Sequence, residues 1–265
     1  MPSVNINDIA INYYEEGTGF PLVLIHGLSD NWTLWKPLIP GFSDRYQVIA
    51  MDIRGHGDSG KPDADYSIKL FSEDLHDFLD MLKIWQAHLM GFSMGGSIAQ
   101  QFTLDYPQKV GSLILLSSFY RCNSELRQKF DMLKKAIVEN GMEGFFDQAI
   151  KLVIGPDFAA AHAKDLAVMR DLCAKTNSPA AIANTLDACA EFDVSDRISQ
   201  VTKPTLIISG SEDTFVPSYL AEDLHKAIKG SVWHNLEGSW HNLLIPEQIP
   251  ELTRIITEFL ERPSH

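Results

Sequence analysis

Cysteine is scarce in this chain, with three in 265 residues: Cys122, Cys173 and Cys189. The number is odd and no two form a Cys-x-x-Cys pair, so neither a disulfide scaffold nor a cysteine zinc site is supported. Small buried or half-buried thiols in a reducing compartment are the reading that remains. Basic residues are also few. Lys and Arg total 22 against 35 Asp and Glu, for a formal net charge of -13 and a pI near 5.0. A nucleic-acid surface must be basic to displace counterions, and an anionic membrane would repel this chain, so neither is expected as a partner. No apolar run is long enough to span a bilayer. The start, Met1-Pro2-Ser3-Val4-Asn5-Ile6, has no basic residue followed by an apolar stretch; no secretory signal is visible, and the cytoplasm is the expected location. Internal repeats and low-complexity tracts are absent as well.

What is there is ordinary for a globular enzyme: 45% hydrophobic and 22% charged residues. The length allows one core domain, or a core domain carrying an insertion. Short apolar runs at 9–14, 21–25, 46–51, 87–92, 110–116, 204–208 and 232–236 read as strands, most of them ended by glycine turns or polar residues. Between them lie helical patterns. Phe71, Leu75, Phe78, Leu79 and Leu82 make one apolar stripe, 94–106 is a helix stopped by Pro107, and 219–228 and 249–260 are two more. Buried strands alternating with helices mean a mostly parallel sheet covered on both faces. The alternation fails from 121 to 191, where only helical patterns occur. That stretch is expected to be an inserted helical cap on a core domain of 1–120 and 192–265, lying over the sheet edge where open α/β sheets bind ligands.

The segment Gly91-Phe92-Ser93-Met94-Gly95-Gly96 falls between an expected strand and an expected helix. That is the setting of a Gly-x-Ser-x-Gly elbow, in which a sharp, strained turn needs glycine two residues before and after the serine. The pentapeptide alone could be a glycine turn with an incidental serine; its placement after a buried strand favours a nucleophile. A serine hydroxyl needs a base, and the base needs an acid behind it, in the chain order Ser, Asp or Glu, His. His241, in Gly238-Ser239-Trp240-His241, follows the last expected strand and can reach back over the sheet edge. Asp213, in Gly210-Ser211-Glu212-Asp213, stands after the strand at 204–208 and is preferred to its neighbour Glu212. The other histidines fit strand, helix or terminal positions: His234, His162, His225, His76, His88 and His265.

A tetrahedral intermediate needs donors aimed at its oxyanion. The backbone N–H of Met94, after the nucleophile, is one candidate. The second belongs on the loop after the strand ending at Ile25, where the N–H of Leu28 is the choice. His26 is read as holding that loop, and 52–60, with Asp52, Arg54 and His56, as a structured turn. Asn31-Trp32-Thr33 matches a glycosylation sequon, which is discounted without an export signal. Phe119, Val216 and Trp240 flank the catalytic elements and are candidate pocket walls. Arg121, at the entrance to the helical insertion, is a candidate partner for substrate carboxylates, with a solvated surface arginine as the plainer reading.

On His26-Gly27-Leu28, the turn Asp52-Ile53-Arg54-Gly55-His56-Gly57-Asp58-Ser59, the elbow Gly91 to Gly96, the run Pro204 to Asp213, and Trp240-His241, the chain resembles the capped α/β-hydrolase superfamily. Within it, the Ser-Met-Gly-Gly elbow is similar to that of carboxylesterases, 3-oxoadipate enol-lactonases, and cofactor-free haloperoxidases and perhydrolases. The resemblance implies an α/β-hydrolase fold with an inserted helical cap, a serine triad, no cofactor and no metal. It also implies a small-molecule ester or lactone as partner. Haloalkane dehalogenases and epoxide hydrolases of this fold carry aspartate where Ser93 stands. Carbon–carbon hydrolases usually show Gly-Asn-Ser at the elbow and tryptophan after the histidine, where this chain has Phe92 and, before the histidine, Trp240. The leading expectation is a carboxylesterase working through an acyl-enzyme. Behind it stand an enol-lactonase or carbon–carbon hydrolase of aromatic catabolism, a perhydrolase, and a non-catalytic receptor on the same fold. Oligomeric state leaves no mark in the sequence.

Overall fold

A computed structural model describes residues 1–7 and 9–262 of the chain; His265 lies outside them. Eight strands form one sheet: β1 (Ser3–Ile6), β2 (Ile9–Glu16), β3 (Phe20–Ile25), β4 (Tyr46–Met51), β5 (Ala87–Phe92), β6 (Val110–Leu116), β7 (Thr205–Gly210) and β8 (Val232–Leu236). Their order is β1-β2-β4-β3-β5-β6-β7-β8. β1 and β2 pair antiparallel, as do β2 and β4, and every other pairing is parallel. The chain therefore has the α/β-hydrolase fold expected from its sequence. β1 was not expected. It contributes four residues at the sheet margin, too few for its alternation to register as a pattern.

The central strands are apolar on both sides because helices cover both faces. Val23 and Ile25 of β3, Leu113 and Leu115 of β6 and Ile207 of β7 pack into one core, with Phe71, Leu75 and Phe78 of α1 (Ile68–Met81) and Ile98 and Phe102 of α2 (Met94–Asp105). Leu22 and Leu24, Ile114 and Leu116, and Leu206 and Ile208 face the other way, onto Trp35, Phe42 and the buried side of α8 (Ile249–Leu260). Ser67 starts α1 by accepting a hydrogen bond from the Leu70 N–H, which satisfies one of the free donors of the first turn.

Between β6 and β7 the chain makes only α-helices apart from one short turn: α3 (Ser124–Val153), α4 (Pro156–Ala161), α5 (Ala163–Thr176) and α6 (Pro179–Ala190). The long α3 is kinked at Asn140 and Gly141, where glycine supplies a φ of 66°. Arg170 pairs with Asp147 through two hydrogen bonds, joining α5 to α3, and Lys134 pairs with Asp187, joining α3 to α6. The block touches the core at points that matter for the site. The Asn242 N–H donates to the Val153 carbonyl, the Thr214 hydroxyl to the Leu152 carbonyl, and the Asn177 amide to the Ser29 carbonyl. After it come α7 (Ser218–Ala227) and α8.

Candidate active site

The register of the parallel strands sets the site. Ile25 lies beside Gly91 and Phe92 beside Leu116, so β3, β5 and β6 end along one edge of the sheet. The loops leaving that edge carry residues 26–31, 93 and 117–119, and β7 brings 211–216 to the same edge.

Ser93 stands at the turn from β5 into α2 with φ 52° and ψ -119°, a sparsely populated backbone conformation that costs an L-residue on the order of 1–3 kcal/mol. The turn is so tight that a Cβ on Gly91 would sit 2.3 Å from the Gly95 carbonyl oxygen, and one on Gly95 would sit 2.0 Å from that of Ile25. The flanking glycines therefore answer to backbone approach. Four hydrogen bonds brace the elbow: the Ser93 N–H donates to the Leu116 carbonyl, and the Ser93 carbonyl accepts from the Gly96 and Ser97 N–H groups and the Ser118 hydroxyl.

Ser93, His241 and Asp213 are all buried and form one hydrogen-bonded chain. His241 Nε2 lies 3.0 Å from Ser93 Oγ, and its Nδ1 lies 2.8 Å from Asp213 Oδ2. With Nδ1 donating to the carboxylate, Nε2 is left as the acceptor for the serine proton. The other carboxylate oxygen of Asp213 accepts from the Phe215 and Val216 N–H groups, at 2.9 and 2.8 Å. The rings of Phe92 and Phe215 flank the imidazole at 5.2 and 5.0 Å, and the Ser117 hydroxyl holds the His241 carbonyl. Glu212 points to solvent and takes no part. Gly210 is needed for the approach of the two loops, since a Cβ there would sit 2.2 Å from the Ser239 carbonyl oxygen; strand pattern alone did not reveal this.

Met94 is buried in the first turn of α2 and Leu28 is half-buried on the loop after β3. That loop is held by His26. Its ring accepts from the Ile53 N–H at 3.1 Å through Nε2 and bonds the Gly27 carbonyl through Nδ1 at 2.8 Å. Burial pushes the His26 imidazole down to about 4 and the neighbouring His56 down to about 3, so both are neutral supports. Asp52 ties the 52–60 turn together, accepting from the Trp32 and Asp58 N–H groups, and Arg54 makes a buried two-bond pair with Asp74. Asn31, first residue of the sequon, caps the short helix Trp32–Trp35 with its side chain.

The expected wall residues divide. Val216 is bound to Asp213 through its backbone. Phe119 is buried between Phe130 and Phe192, in a line of rings that continues through Phe215 to His241. Trp240 is turned towards Gly155 and lines a cleft of about 240 Å³ with Ile154, Phe158 and Asn242, a cleft whose lining includes none of Ser93, Asp213 and His241. Arg121 is directed at the surface. Its guanidinium lies over Tyr120 and 3.7 Å from Asp223 of α7. Nothing in the sequence pattern singled out Asp30, which stands half-buried on the same loop as Leu28. Among the described residues no group of three or more His, Cys, Asp or Glu could hold a metal ion, and no helix is long and apolar enough to cross a membrane.

Comparison with known proteins agrees with this architecture. The alpha/beta hydrolase fold family matches residues 21–248. RutD of Azorhizobium caulinodans, named as a candidate carbamate hydrolase, is 28% identical over 232 residues, 86% of each chain. The solved structure of the enol-lactonase from Burkholderia xenovorans LB400 superposes with a TM-score of 0.92 at 24% identity, covering 98% of this chain and 100% of that one. Est816, described as an N-acyl homoserine lactone degrading enzyme, superposes with a TM-score of 0.85 at 29% identity, covering 97% of this chain and 100% of its own.

Proposed function

We propose that this chain, which belongs to the alpha/beta hydrolase fold family, is a serine hydrolase that cleaves small carboxylic esters, a lactone being the cyclic case. The observation that carries the reading is the buried hydrogen-bonded chain from Ser93 through His241 to Asp213. Ser93 Oγ attacks the ester carbonyl as His241 Nε2 takes its proton. Asp213 holds the imidazole in the required tautomer and stabilises the imidazolium. The Met94 and Leu28 N–H groups receive the oxyanion. The tetrahedral intermediate collapses as His241 protonates the leaving alcohol. Water, deprotonated by the same histidine, then releases the acid from Ser93. Residues 121–191 act as the cap over this site, and the hydrogen bonds from Val153 and Leu152 to the loops bearing His241 and Asp213 support that role.

The comparisons support ester-type chemistry through the names of the enol-lactonase and Est816. Within that chemistry, the outward turn of Arg121 weighs against acidic ring-cleavage substrates, which need a cationic partner.

The test is hydrolysis of p-nitrophenyl esters from acetate to decanoate, with Ser93→Ala alongside. Turnover is expected to peak at short chains and to fall about 10⁴-fold or more in the variant. A fluorophosphonate should label Ser93 alone. Labelling of another residue, or full activity in Ser93→Ala, would overturn the assignment.

A further inference from the structure

Three consecutive residues at the end of β6 touch both partners of the proposed proton transfer. The Leu116 carbonyl accepts from the Ser93 N–H at 2.8 Å, and the Ser118 hydroxyl donates to the Ser93 carbonyl at 2.9 Å, so residues 116 and 118 straddle the backbone of the nucleophile. Between them, Ser117 reaches the base. Its hydroxyl donates to the His241 carbonyl at 2.8 Å. Its N–H donates to the Ile208 carbonyl at 2.8 Å, on β7, the strand that leads to Asp213. One residue thus contacts the histidine and the strand that delivers the acid, while its two neighbours hold the serine.

Ser117 is itself strained. Its φ is 47°, in the left-handed region that favours glycine, and a serine stays there when its surroundings over-determine it. Two side chains of α2 supply that constraint. The Gln100 amide donates to the Ser118 hydroxyl and the Phe119 carbonyl, and the Ser97 hydroxyl donates to the same carbonyl, all of these residues being buried. A glycine at 117 would relieve the backbone but carry no hydroxyl. The side chain that the backbone disfavours is the one that reaches His241. That histidine stands in an irregular loop between β8 and α8, and among the described residues the Ser117 hydroxyl is the one group bonded to its carbonyl. The flanking anchors of the loop attach elsewhere, the Ser239 carbonyl to the Glu212 N–H and the Asn242 N–H to Val153 of the helical block. The Ser93 carbonyl, by contrast, has the Gly96 and Ser97 N–H groups besides Ser118.

We propose that Ser117 is a positioning residue for His241, holding the backbone of the base at the distance from the elbow at which Nε2 meets Ser93 Oγ. It acts through the histidine and not on the substrate. The proposal rests on the serine hydrolase reading for the reaction that is set in place, but not for the placement of the imidazole. Proton transfer needs the two heavy atoms within hydrogen-bond reach, and a displacement of about 1 Å in such a pair costs up to about a hundredfold in rate. The same Nε2 serves the attack of Ser93 and the attack of water, so both halves of the reaction depend on it. Substrate contacts lie elsewhere, and the loss falls on kcat.

Ser117→Ala and Ser117→Gly separate the hydroxyl from the backbone. Both lack the donor, and only the glycine releases φ, so Ser117→Gly should melt above Ser117→Ala. Assayed well below their melting temperatures, both should lose roughly ten- to a hundredfold in kcat on a short-chain p-nitrophenyl ester, with KM within about twofold of the parent. Labelling of Ser93 by a fluorophosphonate should slow by a similar factor. Thr103→Val removes another buried hydroxyl-to-carbonyl bond, inside α2, and should leave kcat and labelling as they are. Full kcat in folded Ser117→Ala, activity that returns with stability in Ser117→Gly, or an equal loss in Thr103→Val would overturn the proposal. If the parent takes no fluorophosphonate and turns over no ester, the hydrolytic reading has failed, and the imidazole decides the question separately. The ring-nitrogen NMR resonances of His241, assigned with His241→Gln, should move in both Ser117 variants and stay in place in Thr103→Val; resonances unmoved in the Ser117 variants would overturn the positioning role.

Discussion

At the scale of single residues, burial separates histidines of one chemical type into different jobs. His241 is hydrogen-bonded at both nitrogens to side chains, Asp213 and Ser93, whereas His26 and His56 are held by backbone atoms and kept neutral by desolvation. A histidine whose folded value lies below the unfolded 6.5 binds its proton more readily when the chain unfolds. Its neutral form therefore costs nothing above about 6.5, and stability is lost as pH falls from there through the folded values of about 4 and about 3. Each histidine contributes about 1.4 kcal/mol per pH unit across that window. Asp30, lifted from 3.8 to about 7, works in the opposite direction, its contribution being lost as pH rises from 3.8 through about 7. His56→Asn should therefore flatten the stability profile between pH 6 and 4.5 by about 1.4 kcal/mol per unit relative to the parent. Urea unfolding at several pH values measures it, and parallel profiles would mean that His56 titrates normally.

At the scale of elements, the strand–turn–helix unit around Ser93 depends on how closely backbones approach. Gly95 faces the Ile25 carbonyl of the neighbouring strand's end, so any side chain there must push β3 away from α2. Gly95→Ala is expected to destabilise the protein by several kcal/mol, about 3 or more, as overpacking against fixed backbone does. Gly238 is the contrast. It has φ 65° but open space around it, so Gly238→Ala should cost only about 1 kcal/mol of backbone strain. Comparing the two midpoints of thermal unfolding distinguishes steric from conformational need. Similar shifts for both variants would remove the close-approach argument for the elbow.

Over the whole molecule, stability is unevenly spread. The central strands β5 to β7 and most of α2 are buried on both sides, whereas α5 has no buried residue and exposes Val168, Met169 and Leu172. Its ties to the rest are the Arg170–Asp147 pair, the Asn177 contacts just past its end, and the half-buried Cys173 and Ala174 packed on the core. Few buried apolar contacts mean low local opening energy, so α5 amides should exchange with deuterium well before those of β5 and β6. Equal protection would show that the helical block opens only with the core.

Much of this was written in local pattern. Short apolar runs bounded by glycines marked the parallel strands, and the Gly91–Gly95 spacing marked the elbow, because side-chain period and steric need for glycine are properties of a few adjacent residues. The order Ser93, Asp213, His241 was readable for the same reason. Four decisions needed the tertiary structure. Asp213 and Glu212 are adjacent and chemically alike, and only the direction of each side chain puts one carboxylate on His241 and the other in water. Arg121 has no local pattern that names its partner, and folding sets it 3.7 Å from Asp223, a hundred residues on. Trp240 borders His241 in sequence but points to Gly155. Asp30 carries no motif, and only the fold places it, half-buried, on the loop beside Leu28. Element identity follows from neighbours along the chain; the fate of a charge follows from neighbours across it, and those are set by packing.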